Sequence, residues 1–343
     1  MHPAGTPRVY CTYFDSGYLS RGLTLISSLR SFGDNSDVYV LALDSATETF
    51  LRDHAPENVF VININQLENS EPALLPLKTQ RSRMEYYFTC TPLLIRYVMN
   101  QLATPGSIAI YLDADLFFFD DPQLVISAMG KGSVGIIEHR YPDSVAPKLA
   151  KYGRFNVGWV GFKDDASGRN VLDWYASKTL EWCSDKPEDG KYADQGYLDW
   201  FPGFDGVEIL KSPGFNLAPW NTRRHKLKLT PAGRSHQNNS DSTLTVDGEP
   251  LVFFHFHGLR AVGSWFVSSQ IIYKSQMNEI LRKRVYQPYV NKLHSTDNEV
   301  FPYLPTTVIK KRGNGLHGVL SRLRKNLVNV ISIATQNALK PNN

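Results

Sequence analysis

Residues 111–122, Tyr111-Leu112-Asp113-Ala114-Asp115-Leu116-Phe117-Phe118-Phe119-Asp120-Asp121-Pro122, place two carboxylates between two apolar runs. Upstream, Ser107-Ile108-Ala109-Ile110-Tyr111-Leu112 follows Pro105-Gly106 and reads as a buried strand entered from a turn. Asp113 and Asp115 end that strand at i, i+2 spacing, so in extended backbone they point the same way. Two charges beside a core are costly unless something pairs them. A divalent cation pairs them and leaves room for substrate phosphates. The other reading is an exposed acidic turn between strands. Residues 116–119 then return to the core before the turn Asp120-Asp121-Pro122.

N-terminal to this stretch, Val9-Tyr10-Cys11-Thr12-Tyr13-Phe14, Val38-Tyr39-Val40-Leu41-Ala42-Leu43 and Val59-Phe60-Val61-Ile62-Asn63 read as strands. Helical patterns over 19–29 and 47–54 separate them. This β-α-β-α-β order predicts a parallel, doubly wound sheet, which binds ligands beyond the carboxyl ends of its strands. Tyr13, Asp15, Asp44 and Asp113 stand at such ends. Neither GxGxxG nor GxxxxGK[ST] follows the first strand, which argues against dinucleotide and phosphate-loop enzymes. A bound nucleoside diphosphate then needs a metal, and Asp113 and Asp115 offer one. Residues 77–99 read as helical, with Pro92 expected to open a second helix. Lys78, Arg81 and Arg83 either lean toward a diphosphate or form a solvated basic face.

C-terminal to it, residues 133–138 and 155–162 read as strands, the second holding Gly158 and Gly161. Glycine inside a strand often marks close approach of a ligand or backbone. Asn156 opens that strand with an amide that both donates and accepts, suited to sugar hydroxyls. A helix is expected over 171–182, and Asp194 is expected to cap the helix that follows it. Residues 214–221 join aromatics to amides, a composition suited to a sugar or an acceptor. Residues 251–258 form an apolar strand in which alternation puts His255 and His257 on one face. In a chain already holding Asp113 and Asp115, both histidines are candidate metal ligands. Mixed carboxylate and imidazole ligation suits Mn²⁺ rather than Ca²⁺.

The 343 residues suffice for one large or two ordinary domains with a substantial core. A net charge of +4 is too small to imply nucleic acid. Aromatics at 12% fit either ring stacking on ligands or an aromatic core. Cys11, Cys90 and Cys183 lack CxxC spacing and read as free thiols of a reducing compartment. The N-terminus shows no basic-then-apolar leader, and no stretch of about 18 apolar residues spans a membrane. A cytoplasmic location is expected. Apolar residues from Leu316 to Ala334 recur at helical spacing beside Arg322, Arg324 and Lys325. That pattern, over about 315–340, suits an amphipathic helix lying on the inner face of a membrane or packed on protein.

The ordered set resembles the GT-A-fold nucleotide-sugar glycosyltransferases, nearest in pattern to glycosyltransferase family 8. Tyr13 and Asp15 resemble that family's first nucleotide-contacting segment. Tyr111-Leu112-Asp113-Ala114-Asp115 resembles its YLDxD metal site, and Phe155-Asn156-Val157-Gly158 its FNxG strand. Asp194-Gln195 resembles the start of its DQDxLN segment near the reacting carbon. His255-Phe256-His257-Gly258 resembles its HFxG, which implies His255 as third metal ligand. Three positions depart from the pattern. Leu259-Arg260-Ala261-Val262-Gly263-Ser264-Trp265 stands where the family continues to KPW, with Arg260 in place of the lysine. Phe88 follows Tyr86-Tyr87 where the family has arginine, leaving Arg81 or Arg83 as substitutes. Gly196 stands at the third position of DQD.

The resemblance implies an α/β GT-A catalytic domain with a mixed central sheet over 1–265, its nucleotide half about 1–122 and its acceptor half about 123–265. Residues 266–343 are expected to form a helical extension. It further implies transfer of a hexose from a UDP-sugar to a glycan or lipid-linked acceptor, with retention favoured. Asp113, Asp115 and His255 would hold Mn²⁺ or Mg²⁺. Tyr13, Asp15, Lys78, Arg83, Asp113, Asn156 and Arg260 would bind the donor, and Asp194 and Gln195 would stand at the reacting carbon. If the reaction inverts, Asp194 and Asp199 are the candidate bases. Two other readings stay open: a sugar-phosphate nucleotidyltransferase and a non-catalytic nucleotide-sugar-binding protein.

Overall fold

A computed structural model describes residues 7–231, 242–306, 329 and 332–342. The chain divides into two units. The first comprises residues 1–15, 33–114 and 121–211, and the second residues 16–32, 115–120 and 212–343. One of the five passages between them falls between Ala114 and Asp115, inside the acidic motif.

In chain order the early strands are β1 (Arg8–Phe14), β2 (Val38–Ala42), β3 (Val59–Asn63), β4 (Ile108–Leu112), the short β5 (Leu116–Phe118), β6 (Val134–Glu138), β7 (Phe155–Lys163) and β8 (Val207–Ile209). All but β5 form the seven-stranded sheet of the first unit, in the order β3-β2-β1-β4-β7-β6-β8. β3, β2, β1 and β4 run parallel, as the alternating strand and helix patterns predict. β2 and β4 are buried along their whole length, which is why they read as unbroken apolar runs. β7 is antiparallel to both β4 and β6, so the sheet is mixed.

Gly161 in β7 serves packing within the sheet face. A Cβ there would stand 2.9 Å from the Trp159 indole, so the glycine makes room for that fully buried ring. The glycine signal in this strand therefore marks an indole rather than a ligand at position 161.

Helix Arg83–Gln101 starts at a capping box in which Ser82 and Glu85 satisfy each other's backbone amides. Pro92 lies inside this helix rather than opening a new one. It costs one intrahelical hydrogen bond, and the buried residues on either side hold the helix together across it. Helix Ala166–Glu181 packs against it. The helix begins five residues earlier than its apolar pattern suggests, because Asp165 caps it through Gly168 N.

The second unit is built on different terms. Its strands are β9 (Leu227–Pro231), β10 (Ser242–Val246), β11 (Glu249–Pro250), β12 (Phe253–His255), β13 (Arg260–Val262), β14 (Trp265–Val267) and β15 (Ala338–Leu339), together with β5. They form small antiparallel groups: β9 to β11, β12 with β5, and β13 to β15. Helix Leu19–Arg30 packs against β5 and against helix Gln287–Val300. Phe254, Phe256, Tyr286 and Tyr289 form the aromatic centre, with Phe256 and Tyr289 stacked at 3.7 Å.

The C-terminal segment is helical from Leu281–Tyr286 through Gln287–Val300. Of the expected amphipathic helix at 315–340, residues 315–328, 330 and 331 lie outside the described set, and Ala338–Leu339 is a strand paired with β14. Among the described residues, no helix is long and apolar enough to cross a membrane.

Candidate active site

The second unit gathers one carboxylate and two imidazoles. β5 and β12 pair antiparallel with His255 opposite Leu116, and Phe256 N donates to Asp115 O at 2.9 Å. This register sets Asp115 beside His255, whose Nε2 lies 3.0 Å from Asp115 Oδ1. The ligand atoms of Asp115, His255 and His257 all fall within 4.8 Å of one another. Phe254 and Phe256, which alternate with the histidines, point into the aromatic core.

The loop at 214–221 shapes this trio. Leu217 O accepts from His255 N at 2.8 Å. Trp220, in the loop whose composition suits a sugar or an acceptor, is buried edge-on against His255 and His257, at centroid distances of 5.1 and 5.5 Å. Gly214 lets the loop approach the strand, since a Cβ there would meet Pro250 O at 1.8 Å.

Burial by itself raises a carboxyl pKa. Asp115 nevertheless lies below its ordinary value, because His255, with His257 and Arg21, favours the anion. The Arg21 guanidinium is held by Leu259 O at 2.7 Å.

The first unit gathers a second constellation at the carboxyl ends of β1 and β4. Tyr111 OH donates to Asp113 Oδ1 at 3.0 Å, and Asp113 N donates to Gly158 O at 2.9 Å. The Tyr13 ring lies 5.5 Å from that of Tyr111, and its hydroxyl is 3.3 Å from Thr91 Oγ1. Asp194 is 1% exposed and caps the 3₁₀ helix Gln195–Gly203, accepting from Gln195 N at 2.9 Å. Tyr175 OH donates to it at 3.3 Å. Burial pushes the Asp194 carboxyl up to about 7, the nearby Asp113 charge adding to the effect and Thr91 opposing it.

Gln195 and Asn156 are joined. Gln195 Oε1 accepts from Asn156 Nδ2 at 2.9 Å and from Val157 N at 3.3 Å, while Gln195 Nε2 donates to Tyr152 O at 2.7 Å. Asn156 Oδ1 accepts from Gly158 N at 3.1 Å. Asp199, a candidate base in the sequence, accepts from the backbone amides of Arg154 and Phe155 and so anchors the start of β7.

The basic residues take separate places. Arg83 reaches Asp15 at 3.0 Å and stays with the strand-end group. Lys78 is drawn 2.8 Å from the buried Glu68, which also accepts from Tyr86 OH at 2.6 Å. Arg81 donates to Thr179 O and Leu180 O, both at 2.7 Å, and so satisfies the last carbonyls of helix Ala166–Glu181. Arg260, in the second unit, donates to Asn329 Oδ1 at 2.6 Å. The buried Glu68 and the helix-end carbonyls claim Lys78 and Arg81 because an unsatisfied polar group there costs more than a solvated one.

Tyr111, Tyr175 and His139 join the first unit's constellation without being among the residues the sequence reading assigned to the site. His139 Nδ1 lies 3.1 Å from Gly153 O and its Nε2 3.4 Å from Asn156 Nδ2. For Tyr111 the signal was present: it stands two residues before Asp113, hence on the same side of the strand.

No protein-family model matches the chain. The chain is 30% identical over 306 residues to the uncharacterized protein YfnF of Bacillus subtilis (strain 168), a match covering 86% of this chain and 92% of that protein. It is 27% identical over 300 residues to YfnD of the same organism, covering 86% and 92% respectively. Among solved structures, the galactosyltransferase LgtC, crystallised with donor and acceptor sugar analogues, superposes with a TM-score of 0.52 at 15% identity. That match covers 86% of this chain and all of the other. The fold is that of the GT-A glycosyltransferases.

Proposed function

This chain belongs to the family of the Bacillus subtilis protein YfnF, and on that premise we propose that it is a cation-dependent glycosyltransferase. It transfers a hexose from a nucleoside diphosphate sugar, a UDP-sugar by preference, to a glycan or lipid-linked acceptor, in the manner of bacterial surface polysaccharide synthesis. The observation that carries the reading is the Asp115, His255 and His257 trio, in which Asp115 is the second carboxylate of the Asp-x-Asp motif, in a GT-A fold.

The donor set fits a divalent cation. It offers one carboxylate oxygen and two ring nitrogens at mutual ligand spacing, and the carboxylate stays ionised despite burial. Asp113, Asp115 and His255 are the ligands carried over from the sequence pattern, and the observed trio supports adding His257. When bound, Mn²⁺ or Mg²⁺ supplies positive charge to the departing diphosphate.

The remaining roles fall to the chain itself. Tyr13 and Asp15, the latter steadied by Arg83, stand at the carboxyl end of β1 and take the nucleotide. Gln195 accepts from Asn156 through Oε1 and donates one Nε2 hydrogen to Tyr152 O, which directs its second Nε2 hydrogen to a sugar hydroxyl. Asp194 acts through Gln195 as a positioning residue. Retention of configuration is favoured because both candidate bases are engaged, Asp194 as a buried cap and Asp199 on two backbone amides.

Release of nucleoside diphosphate from a panel of UDP-sugars, measured with Mn²⁺ and then with EDTA, tests the proposal. Turnover that EDTA abolishes and Mn²⁺ restores is the expected result. Turnover indifferent to EDTA removes the cation, and tight UDP binding without turnover of any donor removes the enzyme.

A further inference from the structure

Away from the Asp194 and Gln195 network, the first unit carries a cavity of about 300 Å³ walled by Trp174, Trp182, Tyr197 and Trp200. Its rim holds Lys178, Glu181 and Lys191. Three of the chain's six tryptophans meet at this one place. Trp200 leaves 45% of its surface in water, with the Tyr197 ring beside it at 5.9 Å. We propose that this cavity is a second saccharide-binding subsite that holds a neutral, hydroxyl-rich part of a glycan acceptor. The inference rests on the glycosyltransferase reading and deepens it.

The walls are set before any ligand arrives. Tyr197 OH donates to Trp182 O at 2.9 Å. Trp174 packs edge-on against Tyr197 and Phe201. Arg81 fixes the end of the helix that carries Trp174 and Lys178. Little freedom of the Trp174 and Tyr197 rings remains to be lost when a ligand binds.

The chemistry selects among ligands. Trp174 and Tyr197 stand at 86°, and Tyr197 and Trp200 at 40°. These rings make angled walls rather than the facing parallel pair that sandwiches a flat base. A puckered sugar ring presents apolar C–H faces to such walls and hydroxyls to the rim. Lys191 Nζ already lies 4.8 Å from the centre of the Trp182 ring, which repels a second cation and disfavours a quaternary ammonium ligand. Lys178 and Glu181, paired at 2.6 Å, offer donors and acceptors to hydroxyls side by side. A volume near the lower end for small-molecule pockets suits one or two sugar rings rather than a large cofactor.

The cavity is tied to the reacting end of the unit through one element. The 3₁₀ helix Gln195–Gly203 begins at Gln195 and carries Tyr197 and Trp200. At about 2.0 Å rise per residue, Trp200 lies on the order of 10 Å along the helix axis from Gln195. A glycan chain gripped there is held at a distance from its reacting hydroxyl.

The test is a broad glycan microarray read with the wild-type protein and with Trp200→Ala and Trp200→Phe, beside calorimetry of UDP with Mn²⁺. The expected result is capture of a subset of glycans by wild type, about tenfold weaker capture by Trp200→Ala, and recovery by Trp200→Phe. UDP affinity is expected to be equal in all three. Because Trp200 is exposed, unchanged melting by circular dichroism confirms that the variants fold. An array on which wild type and Trp200→Ala behave identically, or on which wild type captures nothing, overturns the subsite. Loss of UDP binding by wild type overturns the glycosyltransferase reading instead, so the two failures are told apart.

Discussion

Asp194 in the first unit and Asp115 in the second are both buried aspartates, yet their chemistry is opposite. Asp194 meets the uncharged Gln195 backbone amide and the Tyr175 and Thr91 hydroxyls, with another carboxylate, Asp113, near it, so burial pushes it up to about 7. Asp115 meets His255 at 3.0 Å, with His257 and Arg21 beyond, and is held down as an anion. Burial raises both carboxyls, and whether a positive partner stands close enough to oppose it decides which one stays an anion. A buried aspartate kept ionised is a ready ligand, whereas one kept close to neutral serves as a cap and an orienting group.

The most severe way to break this comparison is Asp115→Ala. If Asp115 is the ligand, donor turnover falls by about 10³-fold or more, with the circular dichroism spectrum retained. Activity equal to wild type would leave the trio without a role.

Asp194→Asn probes the other aspartate through pH. Its folded pKa of about 7 stands above the ordinary 3.8, so the fold favours the protonated form. Its contribution to stability is fully present below about pH 4 and is lost as pH rises through about 7. Asparagine does not titrate, so the variant gains stability relative to wild type across that window, by a margin on the order of 4 kcal/mol at most. Denaturant melts at about pH 5 and about pH 8 read the difference. A constant difference between the two curves would mean that Asp194 is ionised throughout.

Gln195→Ala sharpens the first unit alone. Losing the amide that Asn156 and Tyr152 O hold in place is expected to lower kcat/KM about 100-fold without changing cation affinity. A matching loss of cation affinity would merge the two constellations into one function. The smallest effect is expected for Arg83→Ala. Its ion pair with Asp15 is 62% exposed on the arginine side, so stability changes by about 1 kcal/mol or less. A larger drop in the melt, at unchanged donor KM, would make Arg83 a structural rather than a nucleotide-facing residue.

Much of the architecture was legible because it is local and periodic. The unbroken apolar runs at 38–43 and 107–112 announce strands buried on both faces, and Asp194 announces a cap. The destinations of the cations were not legible. Lys78, Arg81 and Arg83 lie within six residues, yet they go to a buried glutamate, two helix carbonyls and a strand-end aspartate. Nothing in their spacing separates these fates, because each depends on which acceptor folding leaves unsatisfied nearby. Trp220 and Gly161 teach the same lesson, since an aromatic loop and a strand glycine look alike whether they serve a ligand or an indole.

By itself, the sequence determined that Asp113 and Asp115 follow a buried strand and that His255 ends a later one, with His257 two residues on. Period-two alternation and the cost of a charge beside a core suffice for that. Only the tertiary structure decided that Asp113 hydrogen-bonds Tyr111 in the first unit while Asp115 faces two imidazoles in the second. The register between β5 and β12 makes that choice across more than a hundred residues of intervening chain. A carboxylate's charge state follows from the partner that such a register delivers, and a linear pattern does not specify it.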